Sequence, residues 1–146
     1  MERNRISNKA WHTASDILLY YPEMKKEYQE MVDAAIAPDK PEDSAGAGTV
    51  EHKEMSDPTA SAAIRLANNK RAVRLRTEIE AVEMAIAELD ECELEVIRQR
   101  FWYKQTKGRR WTRPYDMLHN IPMSEREMHR AVQKTILSIA LFVGEL

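Results

Sequence analysis

Glycine is scarce in this chain of 146 residues: there are four, two of them in the run AGAG. No strand pattern precedes that run and no Lys-Ser or Lys-Thr follows it, so it is not a phosphate-cradling loop. Aromatics are few, at 7%. There is one cysteine, Cys92, so neither an internal disulfide nor a cysteine metal cluster is available, and buried filler is the expectation for it. His52 stands alone in a polar run, and no metal or cofactor role is expected. H-E-x-x-H and G-x-S-x-G are both absent, and the carboxylates fall in helical charge runs typical of solvated faces. These absences argue against an enzyme. No apolar run reaches the length of a bilayer span and no leader pattern opens the chain, so no membrane partner is expected and the cytoplasm is the expected location.

Charge of one sign is also missing overall. The formal net charge is −2, and the total says nothing about nucleic acid. The distribution does. Thr77–Glu95 holds eight acids and no Lys or Arg, whereas Arg98–Tyr115 holds seven bases and no acid. Screening confines a field to about 8 Å at physiological salt, so such local blocks matter more than their sum.

What is present is helix. Ala, Glu, Leu, Met and Arg are abundant, and the expected class is all-α. Residues 1–37 read as an N-terminal helical region, with Trp11, Ala14, Ile17, Leu18 and Tyr21 on one face. Pro22 is expected to break it, and a second helix with Met24, Tyr28, Met31, Val32, Ala35 and Ile36 inward is expected after the break. Residues 38–55, rich in Pro, Gly, Ser and acids, read as a flexible linker. Residues 56–89 read as one long helix entered through Ser56 or Asp57 and Pro58. Its seam, Asn68, Ala72, Leu75, Ile79, Val82, Ile86 and Leu89, suits oligomerisation or packing within the chain, with the latter slightly favoured.

Residues 90–146 read as three helices. The first is Glu91–Tyr103, with Leu94, Ile97 and Phe101 inward. The second, short, begins at Thr112 as N-cap and ends at Asn120, which tolerates a left-handed backbone. The third is capped by Ser124, with Glu127 completing a capping box, and runs to Gly144. Met128, Ala131, Val132, Thr135, Ile136, Ile139 and Val143 form its core stripe, and Leu137, Leu141, Phe142 and Leu146 a second apolar face for another element or subunit. Opposite the stripe lie Glu125, Arg126, His129, Arg130, Gln133 and Lys134. Either this is a helical hairpin with a solvated face, or it is a helix-turn-helix whose last helix enters a DNA groove.

In the second case the roles divide. Arg109, Arg110, Thr112 and Arg113 lie in the lead-in that grips phosphate; Ser124 and the helix start also suit phosphate. Arg126, Arg130 and Gln133 suit base edges, Arg for guanine and Gln for adenine. Glu125, His129 and Lys134 complete the exposed set. Trp111 either anchors the short helix in the core or lies along the DNA backbone.

Five segments carry a resemblance: SDPTASAAIRLA (Ser56–Ala67), IEAVEMAIAEL (Ile79–Leu89), EVIRQRFWY (Glu95–Tyr103), RRWT (Arg109–Thr112) and MSEREMHRAVQKTILSIALFVG (Met123–Gly144). Their order resembles the RinA family of phage late-transcription activators, similar in its C-terminal half to sigma factor region 4. The resemblance covers most of the chain beyond about residue 20. It implies that the helix capped by Ser124 reads double-stranded DNA, with Arg130 matched to the family pattern and Arg126 and His129 between. It further implies activation of late or packaging genes and contact with bacterial RNA polymerase in the cytoplasm of a bacterial host. A dimer or higher homo-oligomer is expected on other grounds, since dimers let short recognition helices reach two half-sites about one helical turn apart. Two alternatives stand beside it: a small terminase subunit that recognises phage DNA, and a protein-binding regulatory adaptor.

Overall fold

The computed structural model describes residues 6–36, 58–103 and 111–144. The expected linker at 38–55 therefore lies outside the described residues. Among them are five α-helices and one 3₁₀ turn, with no strand: α1 (Asn8–Ile36), α2 (Pro58–Asn68), α3 (Lys70–Ala87), α4 (Glu91–Phe101), the turn Tyr115–Met117 and α5 (Glu125–Phe142). The chain is all-α. It divides into two compact units, residues 1–24 with 77–146, and residues 25–76.

Pro22 does not break α1, contrary to expectation. A proline inside a helix removes one N–H and so leaves the carbonyl four residues back without its partner, at about 3 kcal/mol in an isolated helix. Here that carbonyl belongs to Leu18, and the Trp102 indole Nε1–H donates to it at 2.7 Å. A tertiary donor thus replaces the missing backbone one. Ser7 starts the same helix, its hydroxyl accepting from the Ala10 N–H at 3.0 Å.

In the larger unit, Ala10, Ala14, Ile17, Leu18 and Tyr21 of α1 are buried, as are Ile79, Val82 and Ala85 of α3. Val96, Ile97 and Phe101 of α4 join them, with Met128, Ala131, Val132, Ile136 and Ile139 of α5. The buried hydroxyl of Thr135 donates to the Ala131 carbonyl at 2.8 Å, so no polar atom of that side chain is orphaned. Tyr21 packs its ring 5.1 Å from that of Trp102 and donates its hydroxyl to Glu83 at 2.7 Å. Burial first, and then the adjacent Glu83 carboxylate, push the Tyr21 hydroxyl pKa well above its ordinary value.

The smaller unit corrects a second expectation. The long helix over 56–89 is two helices, parted at Asn69. The Asn69 N–H donates to Leu66, and its side-chain oxygen accepts from the Ala72 N–H at 3.0 Å, which caps α3. Asparagine favours such local bonds over helix continuation. Ala62, Ala72 and Leu75 are buried. Arg71 holds Glu27 with two bonds of 2.8 and 2.9 Å, and Arg65 donates to the Ala35 carbonyl at 3.1 Å. The seam residues Ala72, Leu75, Ile79 and Val82 are all buried within the single chain.

Candidate nucleic-acid interface

α4 and α5 both start at full capping boxes. The Asp90 carboxylate accepts from the Glu93 N–H at 2.8 Å, and the Glu93 carboxylate accepts from the Asp90 N–H at 3.1 Å. At α5 the Ser124 hydroxyl accepts from the Glu127 N–H at 3.2 Å, and Glu127 accepts from the Ser124 N–H at 2.8 Å. Each cap contributes about 1 kcal/mol and fixes the first residue of its helix. The two helices pack against each other, Val96 and Ile97 of α4 and Val132 of α5 are buried, and Lys134 of α5 pairs with Glu93 of α4 at 2.9 Å. Leu94, expected inward, is only half-buried.

The segment between them is not the short helix expected from Thr112 to Asn120. Residues 111–114 form no regular element, with Pro114 extended, and only Tyr115–Met117 makes a 3₁₀ turn, with no side-chain cap. Thr112 is exposed and caps nothing. The physical cause is visible in two prolines. Pro114 drives Arg113 away from the helical region, and Pro122 does the same to Ile121. Asn120 adopts φ 59°, the left-handed conformation anticipated for it. What remains between these points is too short to repay helix nucleation.

Side chains of α4 clamp the segment instead. The Gln99 amide donates to the His119 carbonyl and accepts from the His119 N–H, at 2.9 and 2.8 Å. Arg113 N–H donates to the Arg100 carbonyl at 2.9 Å, and the Arg100 guanidinium donates back to the Arg113 carbonyl. Arg100 also lies 4.0 Å from the Tyr115 ring centroid, and the Tyr115 ring packs 4.2 Å from His129. Arg100, Tyr115 and His129 therefore form one stack joining α4, the turn and α5. Burial raises the Tyr115 hydroxyl pKa, while the nearby Arg100 charge opposes the rise.

This geometry sorts the expected site residues. Arg109 and Arg110 lie outside the described residues. Arg113 is half-buried with its guanidinium 4.0 Å from the Tyr103 ring, and Arg98 pairs with Glu95 at 2.7 Å. Ser124 is taken up by the cap, Lys134 by Glu93, and His129 by Tyr115. Glu125, Arg126, Arg130 and Gln133 remain on the exposed face. Arg126, Arg130 and Gln133, spaced by four and three, point away from the Met128–Ile139 stripe and share one side of the helix. Among the described residues no side-chain partner is found for these three. Glu125 and Glu127 suit the positive end of the helix dipole but oppose a phosphate there.

Trp111 is not a core anchor: it is 63% exposed, and Met117, also on the clamped segment, is 52% exposed. On α5, Leu141 and Phe142 are exposed while Leu137 is half-buried. Cys92 is not buried filler either. It is half-buried and lines an open groove of about 310 Å³ with Leu94, Arg98, Asn120, Ile121 and Pro122, between the start of α4 and the turn into α5. No spacing in the sequence announces that groove, because a tertiary clamp builds it. No helix among the described residues is long and apolar enough to cross a membrane. No known protein family matches the chain, and no curated protein or solved structure matches it either.

Proposed function

We propose that the protein is a sequence-specific DNA-binding transcription activator, with α5 as the helix that enters the major groove. One observation carries this reading. The first three turns of α5 present Arg126, Arg130 and Gln133 on a single exposed side, while the opposite side is buried and the helix start is fixed by a capping box. Long donors on a rigid helix match the acceptor pattern of purine edges. The stack of Arg100, Tyr115 and His129 takes the structural place of a first helix-turn-helix helix, setting how α5 stands on α4. His129, Lys134 and Ser124 then act chiefly as positioning residues, and Arg126, Arg130 and Gln133 as readers. Exposed Trp111 and Thr112 are suited to the adjacent phosphate backbone.

The resemblance to phage late activators supplies the narrower reading: control of late or packaging genes, with RNA polymerase as a second partner. A homo-oligomer would place two copies of α5 on half-sites about one helical turn apart. Selecting bound fragments from the source genome tests this. Enrichment of one intergenic site supports the activator; enrichment of no DNA removes the reading. A protein-binding adaptor is the second reading, favoured by the exposed apolar side chains Trp111, Met117, Leu141 and Phe142.

A further inference from the structure

The smaller unit carries a charge pattern that the α5 interface does not use. From Pro58 to Thr77 there are five bases, Arg65, Lys70, Arg71, Arg74 and Arg76, and no acid. All five are exposed. A solvated helical face would explain exposed charge, but not its order along the helix. The helix dipole is positive at the N-terminus and negative at the C-terminus, so it favours acids in the first turn and bases in the last. α4 and α5 both follow that rule with two glutamates in their first turns. α3 reverses it: Lys70 and Arg71 open the helix, no acid lies in its first turn, and no base lies in its last. The bases at the start of α3 therefore work against the helix that carries them, so helix stability does not account for them. Arg65 donates to the Ala35 carbonyl, Arg71 pairs with Glu27, and Arg74 and Arg76 also have partners, but these contacts are made by exposed side chains and do not remove the charge from use. The Arg71–Glu27 pair joins side chains that are 59% and 42% exposed, where water and salt weaken an ion pair.

We propose that α2 and the start of α3 form a second, sequence-independent contact with the phosphate backbone of duplex DNA. The inference rests on the DNA-reading role of α5 and extends it: α5 supplies base preference, and the smaller unit supplies affinity. A regular polyanion is the partner that a run of bases without interleaved acids serves best, because each phosphate neutralised releases condensed counterions. The eight acids of Thr77–Glu95 bound this surface on the C-terminal side in sequence. They confine the contact to residues before Thr77.

The test uses the full chain and the double variant Lys70→Gln, Arg74→Gln. Binding is titrated at several salt concentrations on the selected genomic fragment and on random duplex of equal length. The expected result is a loss of about tenfold on both DNAs, a salt slope shallower by about two, and an unchanged ratio between the two DNAs. The variant Lys70→Arg, Arg74→Lys should restore the slope, which separates charge from folding. If the unsubstituted protein binds and the Gln variant keeps its affinity and slope, this inference is wrong while the α5 reading stands. A loss confined to the genomic fragment also overturns it, since that marks base contacts. If the unsubstituted protein binds no duplex, both readings fall together.

Discussion

Pro22 and Trp102 show how a residue can be misjudged when only its neighbours are considered. Proline lacks the N–H that Leu18 would accept, and on local grounds the helix should stop. The indole of Trp102, the residue that caps the end of α4, supplies the donor. Nothing in the spacing of the two residues links them, which explains why the break at Pro22 was expected and the continuous α1 was not. The account predicts a coupling. Trp102→Phe should destabilise the protein by about 1–3 kcal/mol, because it leaves the Leu18 carbonyl unsatisfied. In a Pro22→Ala background the restored N–H takes that carbonyl, and the same substitution should then be clearly less damaging. Urea unfolding of the four proteins measures the difference, and equal losses in both backgrounds would refute the link. Tyr21 gives a pH prediction. Its hydroxyl pKa is raised in the folded state, so its contribution is fully present below the ordinary tyrosine pKa of about 10. It is lost as pH climbs above that value, where the unfolded chain releases the proton first. Tyr21→Phe should flatten the decline of stability above about pH 10, leaving the smaller share of Tyr115. An unaltered alkaline limb would count against the buried hydroxyl.

At the scale of elements, the helices were legible wherever a cap and an apolar stripe coincided. Ser124 with Glu127, and the stripe from Met128 to Ile139, place the start of α5 at its observed residue, and its end lies two residues short of the expected Gly144. The start of α4 at Glu91 was also as expected, and its end at Phe101 lies two residues short of the expected Tyr103. Elements were misjudged where one local signal competed with another. Asn69 caps a new helix inside an apparently continuous heptad seam. Thr112 looked like a helix cap, yet Pro114, Pro122 and the side chains of α4 hold its segment in another shape. That clamp makes its own prediction. In amide exchange the His119 N–H should be protected although it belongs to no helix, because Gln99 accepts from it. Gln99→Ala should abolish this protection and leave the α5 core amides protected. Protection that survives the substitution would instead support a regular helix over the segment.

For the whole molecule, the distribution of charge bears on the proposed function more than the net charge of −2 does. Three blocks follow one another: a basic run at Pro58–Thr77, an acidic run at Thr77–Glu95 and a basic run at Arg98–Tyr115. The last two were evident in the sequence. What the sequence could not express is that some of these bases have structural work: Arg100 and Arg113 hold the clamped segment, and Arg98 pairs with Glu95. The proposed reading set therefore narrows to the outer side of α5, where Arg126 and Arg130 are exposed opposite the buried stripe of a capped helix. The measurement that meets this claim most directly is the affinity of Arg126→Ala and Arg130→Ala for the selected genomic site and for random duplex, at one salt concentration. The account predicts a loss of about 1–3 kcal/mol per substitution on the selected site, with a much smaller loss on random DNA. Equal losses on the two DNAs, or none on either, would contradict it.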